Sequence, residues 1–109
     1  NKGREIGVRA LIVDDSRTMR RILGDIMREC GFDVIEAEDG ADALERLGEA
    51  GPVEIALVDW NMPRMTGIEF VRSVRKDAGR ARMRIMMVTT EAEIDNVVQA
   101  LESGANEYI

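Results

Sequence analysis

Histidine is absent from the 109-residue sequence, and cysteine occurs once, at Cys30. The missing histidine excludes Ser-His-Asp and Cys-His catalysis and metal sites built on imidazole. One cysteine cannot form a disulfide within the chain, which fits a reducing, cytoplasmic location. Any metal would therefore be a hard cation bound by oxygen ligands. Any chemistry must come from carboxylates, hydroxyls and the backbone.

Long apolar runs and an excess of positive charge are also missing. No run approaches the roughly 20 apolar residues that a membrane-spanning helix needs, and residues 1–7 lack the apolar core of a signal peptide. The sequence has 21 Asp and Glu against 15 Lys and Arg, a formal charge of −6. The missing apolar run means that we expect no membrane partner. Because phosphate binding requires a basic surface, we expect no nucleic acid as a direct partner either.

Short apolar runs separated by helical patterns predict the fold class. Nearly continuous runs at 8–13, 55–58 and 85–88 are typical of strands covered on both faces. A weaker run covers 32–37, and a last one begins at Tyr108. Helical spacing fills the intervals, at 16–31, at 40–49, after Thr66 and at 91–103. This alternation indicates an α/β fold, a doubly wound parallel sheet of five strands with helices on both faces.

Local signals refine two of these helices. Ser16 is the expected N-cap of the first helix and Gly31 its stop. One apolar stripe of that helix should face the core, and it comprises Met19, Ile22, Leu23, Ile26, Met27 and Cys30. The helix at 91–103 should bury Ile94, Val97, Val98 and Leu101, with Gly104 as its stop.

Acidic residues follow two of the predicted strands directly. Asp14 and Asp15 end the first run, Asp59 ends the third strand, and Thr89 follows the fourth. Ligands of such sheets bind beyond the carboxyl ends of the strands, so these side chains should share one pocket. Three clustered carboxylates repel one another, and Mg²⁺ would supply the missing counter-charge. Helix capping is the alternative role of each acid taken singly, but it does not explain the whole set.

The sequence resembles response-regulator receiver domains, the single-domain chemotaxis type in particular. The resemblance covers the chain from Val8 onward, and its matching segments are 11–16, 18–21, 37–40, 59–63, 87–89 with Glu91, and 104–105 with Tyr108. It implies a flavodoxin-like fold with strand order 2-1-3-4-5. Residues 1–7 would then be an N-terminal tail and residues 8–109 the receiver domain.

The resemblance also implies roles for the strand-end residues. Asp59 matches the phosphoacceptor of the family. Asp14 and Asp15, together with Asp59 and the backbone carbonyl of Asn61, match the Mg²⁺ site. Thr89 matches the hydroxyl that contacts the phosphoryl group.

Three further positions match residues that act after phosphorylation. Tyr108 matches the aromatic residue that turns inward on activation. Asn61 and Glu91 match positions that tune how fast water removes the phosphoryl group. The implied protein is a phosphoprotein of two-component signalling that catalyses only its own phosphorylation and dephosphorylation. An aspartyl phosphatase is disfavoured because such enzymes place a second Asp where this chain has Asn61.

Partners and chain ends follow from the same resemblance. A sensor histidine kinase or phosphotransfer protein would be the phosphodonor. The output would be the flagellar motor switch or, alternatively, an attached effector domain; a phosphorylation-independent interaction module is a further alternative. The family's Lys and fifth helix lie past Ile109, so we expect a chain truncated near strand five.

The basic stretch of Arg72, Arg75, Lys76, Arg80, Arg82 and Arg84 is expected to be a solvated or kinase-docking face rather than a nucleic-acid patch.

Overall fold

The computed structural model describes residues 8–60, 65–88 and 101–108. Within them strands and helices alternate as the sequence predicts. In chain order they are β1 (Arg9–Val13), α1 (Arg17–Glu29), β2 (Asp33–Ala37), α2 (Gly40–Ala50), β3 (Ile55–Asp59), α3 (Gly67–Arg75), a 3-10 turn (Ala78–Arg80), β4 (Arg84–Val88) and β5 (Glu107–Tyr108).

The helix predicted at 91–103 lies mostly outside the described residues. Leu101 and Glu102, at its end, are helical, and Gly104 follows with a φ of 113°. Leu101 is 47% exposed, so the prediction that it points inward is wrong. No helix within the described ranges is long and apolar enough to cross a membrane.

The strands of the described residues form one parallel, five-stranded sheet in the order β2-β1-β3-β4-β5. The doubly wound fold and its strand order are therefore confirmed. From β1 the chain passes first to β2 on one side and then to β3 on the other. The carboxyl ends of β1 and β3 flank this reversal, the place where such sheets bind ligands. Because Val13 pairs with Val58, the residues that follow each of them are neighbours.

After Arg9, β1 is apolar because both of its faces are covered. Leu11 and Val13 belong to a cluster formed with α2 and α3, whereas Ala10 and Ile12 face the α1 side with Met27. The four β1 residues are fully buried. A strand covered on both faces has no solvent side to carry polar residues, which explains the continuous run.

The ends of α1 are confirmed, but part of its buried face is not. The Ser16 hydroxyl accepts a hydrogen bond from the Met19 amide at 3.2 Å, and Gly31 ends the helix with a φ of 97°. Ile22 and Ile26, by contrast, are 47% and 50% exposed.

The helix touches the sheet through a narrower face than the stripe suggests. Gly24 and Met27 are its buried residues, and a side chain built at Gly24 would lie 3.6 Å from Val34 of β2. Ile22 and Ile26 lie to one side of this contact. Cys30 is exposed as well, so its predicted burial is wrong.

Thr66 caps α3 through a reciprocal pair of hydrogen bonds. Its hydroxyl accepts from the Glu69 amide at 3.2 Å, and the Glu69 carboxylate accepts from the Thr66 amide at 3.0 Å. These bonds satisfy two amides that the helix itself cannot. The helix then buries Ile68, Phe70, Val71 and Val74.

Replacing Thr66 with alanine should lower the free energy of unfolding by about 1 kcal/mol. The bond from the Thr66 amide also lowers the pKa of Glu69. The stability that this bond to Glu69 contributes is therefore present above the ordinary pKa of the carboxyl, and it is lost as the pH falls through the lowered pKa. Urea unfolding at neutral pH measures the effect. Thr66→Asp is the control that keeps a capping oxygen, and an equal loss in that variant would contradict the capping role.

Arg75, at the end of α3, attaches the segment before β5 to the rest of the sheet. Its Nε donates to the Gly104 carbonyl at 3.0 Å, and its Nη2 donates to the Asn106 side-chain oxygen at 2.9 Å. The same oxygen accepts from the Ile85 amide at 2.8 Å. One arginine and one asparagine thus connect α3, β4 and the entry to β5.

Candidate functional site

Three carboxylates meet at the carboxyl ends of β1 and β3. Oxygens of Asp14, Asp15 and Asp59 all lie within 4.8 Å of one another. Asp14 is buried, Asp59 is half-buried and Asp15 is exposed. The structure therefore brings together the three acids that the strand ends predict. The site combines a buried wall with a side open to solvent.

Helix capping does not account for these acids. α1 begins after the N-cap Ser16 and α3 after the N-cap Thr66, so neither Asp14 nor Asp59 is the N-cap of the following helix. The Asp14 carboxylate accepts instead from the Ser16 amide at 2.8 Å, within the turn that leads into α1. The cluster therefore needs another explanation.

The backbone and side chain of Asp14 are fixed at three points. Its amide donates to the Ala37 carbonyl of β2 at 3.1 Å. Its carboxylate accepts from Ser16, and its carbonyl accepts from Nη1 of Arg20 at 2.7 Å. These bonds come from a strand, a turn and a helix, so the position of Asp14 depends on all three.

The charged form of Asp14 is disfavoured in the folded chain. Burial is the main cause that raises the pKa of Asp14, and the neighbouring charge of Asp15 raises it further. The Ser16 amide and the charge of Arg20 act in the opposite direction but do not cancel the rise. A hard divalent cation would relieve this repulsion, and a set of carboxylate oxygens open to water fits such an ion.

The amino end of α3 packs directly against the backbone of Asp59. The Gly67 amide donates to the Trp60 carbonyl at 3.1 Å. A Cβ atom added at Gly67 would overlap the Asp59 carbonyl oxygen and lie 2.7 Å from Cε of Met87. Only glycine allows this approach. Sequence reasoning missed this role because the contact is not local in the chain.

The structure describes little or nothing of four other predicted site residues. Asn61, Thr89 and Glu91 lie outside the described residues. Tyr108 lies in β5, where its backbone is paired with Met87 of β4. Trp60 directly follows Asp59 and is half-buried.

Two arginines of the basic stretch have structural roles. Arg75 binds the segment before β5, and Arg80 donates to the carbonyls of Leu47 at 2.5 Å and Gly51 at 2.7 Å. Arg80 therefore satisfies carbonyls at the end of α2, which the helix leaves without partners. Neither guanidinium group is presented as a free charge on the surface.

Comparisons with known proteins agree with this geometry. A sequence model of the family described as "Response regulator receiver domain" matches residues 10–109. Chemotaxis protein CheY of Pseudomonas aeruginosa is 43% identical over 103 residues, which cover 94% of this chain and 82% of that protein. The structure of chemotaxis protein CheY4 of Vibrio cholerae has a TM-score of 0.88 at 32% identity and covers 94% of this chain and 84% of its own.

A longer protein also contains this fold. The structure of a probable two-component system response regulator/GGDEF domain protein has a TM-score of 0.86 at 29% identity. The match covers 94% of this chain but 42% of that one. The same fold therefore occurs both as nearly the whole of a short protein and as part of a larger one.

Proposed function

This chain belongs to the response-regulator receiver domain family, and from that premise we propose that Asp59 is its phosphoacceptor. The supporting observation is the meeting of Asp14, Asp15 and Asp59 at the point where strand order reverses. These 109 residues contain no histidine, so a phosphohistidine donor would lie outside them. That donor would be a sensor kinase or a phosphotransfer protein in the cytoplasm.

We assign the acidic cluster to Mg²⁺. The carboxylates of Asp14, Asp15 and Asp59 would hold the ion together with the backbone carbonyl of Asn61. Oxygen ligands and an open side that admits water suit Mg²⁺, which retains several waters when bound. The bound ion supplies positive charge that offsets the charge of the phosphoryl group.

The transfer itself is a displacement at phosphorus. A carboxylate oxygen of Asp59 attacks the phosphorus atom, and the bond from phosphorus to the donor's imidazole nitrogen breaks with its electron pair on nitrogen. The product is an acyl phosphate on Asp59. Attack of water on phosphorus later releases inorganic phosphate and restores the carboxylate. The domain therefore catalyses only its own modification and turns over no separate substrate.

The phosphoryl group would then change a partner-binding surface. It would add negative charge and three strong hydrogen-bond acceptors to the site. Movement of the Thr89 hydroxyl toward it would open space for the side chain of Tyr108 to turn inward. Asn61 and Glu91 would set the lifetime of the signal through access of water to phosphorus.

Chemotaxis is the output that the comparisons favour. The identity to the Pseudomonas aeruginosa chemotaxis protein, over most of both chains, supports a switch that binds the flagellar motor. The second candidate is a receiver attached to an effector domain, supported by the match to part of a response regulator/GGDEF domain protein. Reading the gene beyond the codon for Ile109 distinguishes them, because an effector domain would be encoded there.

Trp60 fluorescence tests the proposed function in solution. Addition of acetyl phosphate to the Mg²⁺-loaded protein should change the emission, because Trp60 directly follows the modified residue. The change should decay after the donor is removed, at a rate that measures phosphoryl lifetime. Asp59→Asn keeps the fold and removes the nucleophile, so it should show no such change. An identical response in wild type and Asp59→Asn would refute phosphorylation of Asp59.

A further inference from the structure

We propose that Arg20 is a positioning residue that holds Asp14 in the geometry needed to bind the divalent cation. The inference rests on the proposed function, because it concerns the same acidic site. Arg20 lies in α1 and is no ligand itself. It would act through its hydrogen bond to the carbonyl of Asp14.

The guanidinium group of Arg20 is held from two sides. Nη1 donates to the Asp14 carbonyl at 2.7 Å, and Nε lies 3.6 Å from a carboxylate oxygen of Glu36 on β2. Glu36 also lies 3.5 Å from Arg28, which follows Arg20 by about two turns of α1. The Arg20 side chain is only 16% exposed. A short, shielded bond of this kind is stronger than an exposed ion pair.

This bond opposes the repulsion within the cluster. Asp14, Asp15 and Asp59 carry like charges at short distance, so the turn after β1 experiences a force that separates the acids. The Arg20 bond anchors the peptide of Asp14 against that force. Without it, the turn could relax until the three carboxylates no longer face one ion. A lysine offers a point charge and lacks the planar fork that contacts a carbonyl and a carboxylate together.

Positioning and simple charge predict opposite results, which makes the role measurable. A positive charge near a cation site disfavours cation binding through Coulomb repulsion. If Arg20 acted by charge alone, its removal would tighten Mg²⁺ binding. If it positions Asp14, its removal weakens binding although a repulsive charge has gone.

Mg²⁺ titration followed by Trp60 fluorescence separates the two cases in the full chain. We expect Arg20→Gln to bind Mg²⁺ about tenfold more weakly than wild type, the usual size of an effect from residues that orient metal ligands. Arg21→Gln is the matched control: it removes the same charge from the next residue of α1, whose side chain is exposed. That control should stay within about twofold of wild type, because exposed charges are screened. Thermal unfolding measured without Mg²⁺ is the control that checks whether each variant is folded.

The Mg²⁺ affinity of Arg20→Lys provides a second test, which does not depend on the stability of Arg20→Gln. It keeps the charge but loses the fork, so its affinity should fall between those of wild type and Arg20→Gln. The inference is overturned if Arg20→Gln binds Mg²⁺ as tightly as Arg21→Gln or more tightly. It is also overturned if Arg20→Lys binds Mg²⁺ with wild-type affinity. Both outcomes leave the proposed function intact. A wild-type protein that gives no Mg²⁺ response overturns the proposed metal site, and the positioning role with it.

Discussion

Replacing Asp14 with asparagine will stabilise the metal-free protein and abolish its response to Mg²⁺. The Asp14 carboxyl is buried beside Asp15 and its pKa is raised, so its charged form is less favourable in the folded than in the unfolded chain. Asparagine has nearly the same shape and can still accept the bond from the Ser16 amide. We expect a gain of roughly 1 kcal/mol, which corresponds to about 4–8 °C in melting temperature for a domain of this size.

The pH dependence of this effect has a definite sign. An acid whose pKa is raised by folding binds its proton more tightly in the folded state, so its contribution to stability declines as the pH rises through the raised pKa. Wild type should therefore approach Asp14→Asn in stability when the pH is lowered from 7 toward the ordinary range of Asp, about 4. The two proteins should differ most at neutral pH.

Thermal unfolding with and without Mg²⁺ measures both parts of the expectation. Mg²⁺ should raise the melting temperature of wild type, because it binds only the folded state, and leave that of Asp14→Asn unchanged. Asp25→Asn is the control, since the Asp25 side chain is 63% exposed and lies away from the cluster; its effect should stay within about 0.5 kcal/mol. Lower stability of Asp14→Asn together with a retained Mg²⁺ response would contradict the assignment.

Gly67→Ala is expected to damage both stability and phosphorylation. The added methyl group would overlap the Asp59 carbonyl oxygen and press on Met87, and a backbone oxygen cannot move aside as a flexible side chain can. We expect the free energy of unfolding to fall by about 2–3 kcal/mol, the upper part of the usual range for overpacking. Displacement of the Asp59 backbone should also slow phosphorylation by at least about tenfold, since small misplacements of reacting groups have large effects on rate.

Gly48→Ala gives the matched control for this substitution. A Cβ atom at Gly48, within α2, would meet no other atom within 4 Å. Alanine there should stabilise the helix by up to about 1 kcal/mol. Urea unfolding compares the two variants, and the rate of modification by acetyl phosphate compares their function. If Gly67→Ala is as stable and as reactive as Gly48→Ala, the close approach of α3 to Asp59 has no consequence.

The strand-end acids could be predicted because one local rule determines their placement. The apolar runs of β1 and β3 each end at an acid, and the carboxyl ends of parallel strands lie at the same edge of the sheet. Asp14 and Asp59 therefore become neighbours as soon as β1 and β3 pair. The strand order came from the family resemblance, since no local pattern specifies which parallel strands are adjacent.

The features that the sequence patterns do not predict depend on contacts between distant parts of the chain. Periodicity identifies the apolar stripe of α1 but not how much of it the sheet covers, so it does not predict the exposure of Ile22 and Cys30. The roles of Arg20 and Gly67 depend on backbone carbonyls of the preceding strand ends, which have no signature in residue type. The roles of Asn61, Thr89 and Glu91 stay predictions from the resemblance.

The most direct test of Asp59 as phosphoacceptor is the intact mass of the protein after incubation with Mg²⁺ and acetyl phosphate. Wild type should gain the mass of one phosphoryl group, and the gain should disappear when Mg²⁺ is removed by a chelator. Asp59→Asn should gain nothing under the same conditions. An unmodified wild type, or equal modification of Asp59→Asn, would contradict the assignment of Asp59 as the phosphoacceptor.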